Sequence, residues 1–201
     1  LLVASYSLMQ FLFAPFWGHL SDRIGRRPVL LASTAFAALS YLLFAYGCYR
    51  QGNTGLWIIL ASRFFAGFCG ANIGVAQAYI ADITPPEQRS KRMGLIGMAF
   101  GLGFIFGPAI GGAAVKLGYA GPGLIAAGLC ALNFIFAWAR LPESWTPSAE
   151  HVPDRPHLEQ WRRVLSRPGI ATLVVVFFLA TFCFTCFETT LGLIVGDNFH
   201  L

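Results

Sequence analysis

The sequence predicts an all-α fold, a bundle of helices that crosses a membrane several times. Of the 201 residues, 56% are hydrophobic and only 11% are charged, whereas soluble domains usually carry about 25% charged residues. Apolar stretches of about 17–25 residues recur along the chain, and stretches of that length can cross a bilayer as helices. These two observations exclude an ordinary soluble domain and indicate a polytopic membrane protein.

Six apolar segments follow one another, and we predict a transmembrane helix from each. The first is of marginal length, because a span needs about 17–25 residues. The third contains one charge, Arg63, and the fourth is the richest in glycine. The predicted segments are Leu1–Trp17, Pro28–Cys48, Leu56–Ile80, Met93–Val115, Gly121–Ala139 and Gly169–Val195.

Positive charge divides the connections between these segments into two groups. Eleven of the 14 Lys and Arg residues lie in 18–27, 81–92 and 140–168, and only Arg50 and Lys116 lie in the other two connections. Such an excess marks cytoplasmic loops. We therefore predict these three connections on the cytoplasmic side and 50–55 and 116–121 outside. This placement explains the net charge of +5 without a nucleic-acid partner.

The first connection, Gly18–Leu30, is predicted to be a short basic turn between two helices. Gly18 and Gly25 permit a tight backbone, and Asp22 suits a helix N-terminus. Arg23, Arg26 and Arg27 supply its positive charge. Asp82, at the inner end of the third segment, is expected to pair with Arg26 or Arg23.

The spacing Gly18-x-x-x-Asp22-Arg23-x-Gly25-Arg26-Arg27 resembles the signature loop between the second and third transmembrane helices of the major facilitator superfamily. The resemblance implies that the loop is a cytoplasmic gating latch; the alternative is that its arginines only set topology. It also implies a partial major facilitator fold, covering the second to seventh of twelve helices. Residues 1–141 would form the remaining five helices of the N-terminal half, residues 142–167 the central cytoplasmic linker, and residues 168–201 the first helix of the C-terminal half. Within the linker, residues 157–167 could form a short amphipathic helix.

Two ionisable side chains lie within apolar segments, where charge is costly and usually functional. Arg63 lies about 10 Å into the membrane from Leu56, at about 1.5 Å per residue. Leu60-x-x-Arg63-x-x-x-Gly67 resembles the family's fourth-helix motif, which is linked to proton coupling. Glu188 lies in the outer half of the last segment. Both are candidates for proton coupling or transport; the alternatives are interfacial or purely structural contacts. Weaker candidates for a substrate cavity are Asn72, Gln77 and Asn133.

The fourth segment carries a second family motif. Gly103-x-x-x-Gly107-Pro108-x-x-Gly111-Gly112 resembles the fifth-helix motif of antiporters, especially drug/proton exporters. This pattern predicts a kinked helix with little side-chain bulk, which could move against the other half. The alternative is glycine packing of the kind found in any membrane bundle.

The chain resembles tetracycline-type drug exporters over Ala81–Pro85 and Gly101–Gly112. Such exporters usually carry a carboxylate midway along the helix after the signature loop, where this chain has Ala38-Leu-Ser-Tyr41. Tetracycline itself is therefore not the expected substrate. The five cysteines are interpreted as packing residues, because Cys183-x-x-Cys186 has no accompanying His or Cys pair.

We therefore expect a proton-coupled exporter of small organic molecules in the plasma or inner membrane, acting by alternating access. The expected partners are the substrate, protons and lipid, with no metal or other cofactor and a monomer when full length. A nutrient importer or uniporter of the same fold is the main alternative. A membrane-embedded enzyme or a non-transporting scaffold is less favoured, because no convergent set of nucleophile, histidine or metal ligands is present in the sequence.

Overall fold

The computed structural model describes residues 2–50, 52–145, 166 and 168–199. Over these residues it consists of seven α-helices and one short 3-10 turn, with no strand. The predicted all-α class is confirmed. The helices are α1 (Leu2–Ile24), α2 (Arg26–Arg50), α3 (Gly52–Gly70), α4 (Ile73–Asp82), α5 (Arg89–Val115), α6 (Gly121–Arg140) and α7 (Pro168–Phe199), and the 3-10 turn is Pro86–Gln88.

Five segments of the described chain are long and apolar enough to span a membrane: α2, α3 with α4, α5 with the 3-10 turn, α6 and the first part of α7. Helix α1 has 23 residues and is not one of these five; Gln10, Pro15 and His19 lie within it. The first segment was predicted to be a transmembrane helix of marginal length; its helix is longer than predicted but does not meet the same criterion of apolar character. The chain is therefore a multi-pass membrane protein.

The connections at both ends of α2 are shorter than predicted. The basic segment 18–27 is not an open turn, because α1 continues to Ile24 and α2 starts at Arg26, which leaves only Gly25 outside a helix. The second segment was predicted to start at Pro28, which lies in the first turn of α2. At the other end, α3 already begins at Gly52, so the predicted polar turn is also mostly helical.

The third predicted segment is not one continuous helix. It breaks at Ala71 and Asn72, which separate α3 from α4. The side chains of α1 satisfy the carbonyls freed near the break: Trp17 Nε1 donates to Phe68 O at 2.6 Å and Gln10 Nε2 donates to Gly70 O at 3.0 Å. Such satisfaction is required because backbone polar groups cannot be left unpaired in lipid.

Small residues bring the helices of this bundle together. Helix α2 packs most extensively against α3 and α6, and α1 packs against α3. A Cβ atom at Gly67 would collide with the backbone carbonyl of Tyr6, and one at Gly70 would lie 2.7 Å from the Tyr6 hydroxyl. The missing side chains of Gly67 and Gly70 thus allow α1 and α3 to approach closely. At Gly74, by contrast, a Cβ would meet no atom of the described residues within 4 Å.

The buried core beside the break is aromatic and aliphatic. Trp17, Val29, Ala71 and Val75 form one cluster, each no more than 4% exposed. Phe68 packs against this cluster, with its ring centroid 5.2 Å from that of Trp17. Because Trp17 both fills this core and donates to Phe68 O, it holds the end of α3 in place.

The chain divides into two compact units, Leu1–Pro147 and Ser148–Leu201. The first holds α1 to α6 and the second holds α7. The amphipathic helix predicted for residues 157–167 lies outside the described residues, apart from Ser166.

Candidate functional site

A single glycine makes the sharp turn between α1 and α2. Gly25 has φ +101°, a region that L-residues with a side chain rarely adopt. Its N–H donates to Ser21 O at 3.2 Å, which closes the end of α1. A Cβ atom here would also lie 2.6 Å from Glu143 Oε2. The backbone conformation therefore favours glycine, and a side chain here would also displace the Glu143 carboxylate.

The side chain of Arg26 binds two acids from different helices. Its Nη1 lies 2.6 Å from Asp22 Oδ1 at the end of α1, and its Nε lies 3.2 Å from Asp82 Oδ2 at the end of α4. Nη1 also donates to Ser21 Oγ at 2.6 Å. The side chain of Arg26 is 14% exposed, that of Asp82 34% and that of Asp22 58%, so the pair with Asp82 is better shielded from solvent than the pair with Asp22.

The sequence suggested that Asp22 lies at a helix N-terminus. This was wrong, because Asp22 lies in the last turn of α1. Glu143, just beyond α6, provides the acceptors at the start of α2 instead. Its Oε1 accepts from the backbone N–H groups of Arg26 at 3.0 Å and Arg27 at 3.3 Å, and its Oε2 accepts from Arg27 N–H at 3.2 Å. A carboxylate at this position also suits the positive end of the helix dipole.

Glu143 also closes the turn that follows it. Oε1 accepts from the N–H groups of Ser144 and Trp145, each at 3.0 Å. Partial burial acts to raise the pKa of Glu143, but hydrogen bonds from four backbone N–H groups outweigh it and hold the pKa below its ordinary value of 4.5. The side chain therefore remains a carboxylate under mildly acidic conditions.

Two further contacts join α6 and the chain after it to the other helices. Arg27 Nη2 donates to Trp138 O at 3.0 Å, and the Tyr79 hydroxyl donates to Pro142 O at 3.1 Å. With the contacts of Arg26 and Glu143, they connect α1, α2, α4 and α6 at one end of the bundle. We name the five residues at the centre of this arrangement the latch cluster: Ser21, Asp22, Arg26, Asp82 and Glu143.

The latch cluster matches the motif-based prediction in part. The predicted pairing of Asp82 with Arg26 is confirmed, whereas Arg23 is exposed and makes no ion pair within the described residues. A Cβ at Gly18 would meet no described atom within 4 Å, so the described residues impose no steric need for glycine there. Glu143 and Ser21 were missed, because Glu143 was interpreted only as part of a charged linker.

Arg63, the charge within α3, has aromatic neighbours in place of an acid. Its guanidinium carbon lies 5.4 Å from the centre of the Tyr41 ring and 4.5 Å from that of Phe44. These are cation–π distances. No carboxylate pairs with Arg63 among the described residues, and its Nε and Nη2 are buried without a hydrogen-bond partner there.

The weaker cavity candidates are dispersed. Asn72 lies at the break and donates from Nδ2 to Ser33 Oγ at 2.6 Å, which gives it a structural contact. Gln77 and Asn133 are exposed on α4 and α6. Glu188 lies within α7, but its side chain is outside the part of the structure that is described. A role for any of these residues in transport stays a prediction.

The glycine motif forms an open surface on α5. A Cβ atom at Gly103, Gly107, Gly111 or Gly112 would meet no described atom within 4 Å. The helix continues without interruption through Pro108. Gly103 also borders an apolar hollow of about 450 Å³ together with Ile96, Ala99, Phe100 and Phe104.

The whole chain resembles proteins of one known family. The family profile described as Major Facilitator Superfamily matches residues 1–201. The class C tetracycline resistance protein of Escherichia coli is 41% identical over 180 residues, covering 89% of this chain and 44% of the relative. The class B protein of Escherichia coli is 46% identical over 134 residues, covering 67% of this chain and 32% of the relative.

A second group of relatives carries a different name. The bovine major facilitator superfamily domain-containing protein 10 is 32% identical over 216 residues, covering 97% of this chain and 45% of the relative. A crystal structure described as the human organic anion transporter MFSD10 (TETRAN) matches with a TM-score of 0.73 and 32% identity, covering all of this chain and 50% of that one. The chain spans about half the length, or less, of the relatives it matches.

Proposed function

Because this chain belongs to the major facilitator superfamily, we propose that the full-length protein is a secondary transporter that exports small organic molecules in exchange for protons. Alternating access to a site between two halves of a bundle is the working principle of such folds. The two groups of relatives are named for tetracycline resistance and for organic anion transport. Both names support a small organic substrate.

The observation that carries this proposal is the pairing of Arg26 with both Asp22 and Asp82. The three residues join the ends of α1, α2 and α4, and Glu143 adds the end of α6. A contact that bridges several helix ends at one face of the bundle favours one arrangement of those helices over another. Breaking it would shift the balance between two access states without touching a substrate site elsewhere.

The excess of positive charge in 18–27, 81–92 and 140–168 supports a cytoplasmic position for the latch cluster. We propose that residues 1–141 belong to the N-terminal half, 142–167 to the central linker and 168–201 to the C-terminal half. Arg63 and Glu188 are proposed to take part in coupling or transport, and the open glycine surface of α5 to face the other half. The transporter is proposed to work as a monomer in the plasma or inner membrane.

The test uses the full-length protein in inside-out vesicles, with export of fluorescent drug-like dyes driven by an imposed proton gradient. Asp22→Asn should reduce export at least tenfold while dye affinity changes less than twofold, because the latch biases states and does not bind dye. Arg23→Gln is the matched control, since Arg23 lies in the same segment but makes no ion pair within the described residues; it should retain most export.

Export that does not respond to the proton gradient would contradict the proposed coupling and favour the uniporter. Equal losses of dye affinity and turnover in Asp22→Asn would place Asp22 in the binding site and contradict the latch. Uptake driven in the opposite direction would favour the importer of the same fold.

A further inference from the structure

The break between α3 and α4 separates two charged residues that are proposed to act in transport, Arg63 on α3 and Asp82 at the end of α4. No proline lies between Gly52 and Asp82, so one common cause of a sharp bend does not apply here. Instead, side chains of α1 donate to carbonyls in the last turn of α3. Insertion of side chains into the backbone hydrogen bonds of a helix is another recognised cause of a bend.

The last turn of α3 is held by α1. Gln10 Nε2 donates to Gly70 O at 3.0 Å, and Trp17 Nε1 donates to Phe68 O at 2.6 Å. Gln10 and Trp17 are seven residues apart, about two turns, so they lie on the same face of α1. The Trp17 and Phe68 rings also pack together, with their centroids 5.2 Å apart. A displacement of this face of α1 would therefore carry the end of α3 with it.

The residues after the break are held by α2. Asn72 Nδ2 donates to Ser33 Oγ at 2.6 Å, and Ser33 is fully buried. At the far end of α4, Asp82 Oδ2 lies 3.2 Å from Arg26 Nε. Helix α4 is thus attached to α2 both just before its first residue and at its last.

The two sides of the break therefore differ in what fixes their direction. Helix α2 does pack along the earlier part of α3, where the ring centroids of Phe36 and Phe65 are 5.9 Å apart. The last turn of α3, however, is bound to α1, whereas Asn72 and Asp82 are bound to α2. Between these attachments the continuous hydrogen bonding that stiffens a helix is interrupted. A displacement of α1 against α2 can then be absorbed as a change of angle at the break.

We propose that Ala71 and Asn72 form a hinge at which α4 changes direction relative to α3 during transport, and that Gln10 and Trp17 are positioning residues that set its angle. The proposal rests on the proposed alternating-access function and assigns one moving joint to it. The hinge lets the charged side chain of α3 move while the latch cluster stays in place.

The test measures distances between two nitroxide labels by electron paramagnetic resonance, on purified full-length protein in detergent that lacks the native cysteines. One pair, Asn53→Cys with Ile83→Cys, spans the break, and the other, Val3→Cys with Arg23→Cys, lies on the continuous α1; all four residues are exposed. The arms on either side of the break are about 27 and 18 Å long at about 1.5 Å per residue, so a change in bend from about 20° to about 50° shortens the first distance by about 3 Å. The wild-type distance distribution should therefore be wider across the break than along α1.

Two variants of α1 remove the donors. Gln10→Leu keeps a side chain of similar length without the amide that binds Gly70 O, and Trp17→Phe keeps an aromatic ring without the indole N–H. Each should shift the mean distance across the break by at least about 2 Å, or widen its distribution, and should leave the distance along α1 unchanged. Trp138→Phe is the matched control for Trp17→Phe, because Trp138 lies on α6 and is 63% exposed; it should change neither distance. If Trp17→Phe fails to fold, Gln10→Leu decides by itself.

A wider distribution across the break than along α1, altered by the α1 variants and not by the control, supports the hinge. Equally narrow distributions in the wild type overturn it, and so does a distance across the break that the α1 variants do not change. An equal change along α1 also overturns it, because the whole bundle would then have loosened.

Dye export is measured separately in vesicles, and it distinguishes this inference from the proposed function. No export by the wild type would count against the transport proposal alone. A shifted distance in Gln10→Leu together with normal export would show that the hinge is not used in transport and would overturn the inference.

Discussion

The backbone N–H of Arg26 lies 3.0 Å from Oε1 of Glu143, 117 residues further along the chain. One carboxylate thus receives the first N–H groups of α2 and also the two that follow it in its own segment. The end of α6 is thereby attached to the start of α2 next to the ion pairs of Arg26. Glu143 lies where the first six helices meet the segment that leads to α7.

Replacing Glu143 should loosen this end of the bundle. Glu143→Ala removes a helix-capping acceptor, a change that costs about 0.5–2 kcal/mol; we expect a value near the lower end, because Glu143 is exposed. The measurement is the thermal midpoint of the full-length protein in detergent. Glu87→Ala is the control, since Glu87 is an exposed acid in the 3-10 turn. Equal midpoints for the two variants would show that the contacts of Glu143 contribute nothing.

The contribution of Glu143 should depend on pH in a defined direction. Its folded-state pKa lies below 4.5, the value for an unperturbed Glu. The stabilisation is therefore fully present above about pH 4.5 and is lost as the pH falls through the folded-state pKa. The difference in thermal midpoint between wild type and Glu143→Gln should stay constant from neutral pH to about pH 5 and shrink below that. A difference that already fell between pH 7 and 5 would contradict the depressed pKa.

Gly25 should tolerate a side chain worse than other glycines with positive φ. Gly25→Ala adds the strain of a left-handed backbone, about 1–2 kcal/mol, to a contact 2.6 Å from Glu143 Oε2. Gly52, with φ +69° and nothing within 4 Å of its Cβ position, isolates the backbone term. Gly25→Ala should therefore lower the thermal midpoint more than Gly52→Ala. An effect of Gly25→Ala no larger than that of Gly52→Ala would show that Glu143 does not resist the added methyl group.

The open surface of α5 gives a test of the antiporter motif. Gly107→Leu should leave the protein inserted, because leucine favours membrane insertion, but should abolish export if this face packs on the other half. Gly101→Leu is the matched control: it lies on the same helix, also has nothing within 4 Å, and points about 120° away at 3.6 residues per turn. Efflux normalised to inserted protein distinguishes them. Near-normal efflux by Gly107→Leu would remove the motif from the mechanism.

The orientation in the membrane can be checked with single cysteines in a background lacking the five native ones. Asn53, at the start of α3, and Glu87, in the 3-10 turn, are both exposed. If the positive charges mark the cytoplasm, an impermeant thiol reagent applied outside intact cells should label Asn53→Cys and not Glu87→Cys. Labelling of both positions would contradict the assigned topology.

The hydropathy of the sequence was sufficient to predict the helices, because long apolar runs determine where a chain crosses a membrane. Hydropathy did not predict that α1 ends and α2 begins on either side of Gly25. There the polar side chains of the latch cluster bind one another, which lets α1 continue beyond its apolar run. The break at Asn72 was missed because apolar residues continue on both sides of it. It depends on Gln10 and Trp17, which lie 60 and 51 residues from the carbonyls they bind.

In the latch cluster, too, residues in a local sequence motif could be predicted, whereas a residue placed by the fold could not. Asp22, Arg26 and Asp82 could be found because two of them belong to one short motif and the third ends the adjacent apolar run. Glu143 could not, since it is a single acid in a charged segment and its role depends on where α6 ends in space. Similarly, nothing in the sequence around Arg63 indicated that aromatic rings, rather than an acid, surround it.

Helix α1 contacts all three of the features described above. Tyr6 packs on Gly67 and Gly70 of α3, Gln10 and Trp17 bind the broken end of α3, and Ser21 and Asp22 hold Arg26. The helix that contains Arg63 is interrupted before it reaches Asp82, so it is not a rigid rod joining the two ends of the bundle. Helix α1 is continuous from Leu2 to Ile24. A sliding or turning motion of α1 would therefore displace its contact residues at both ends of the bundle together.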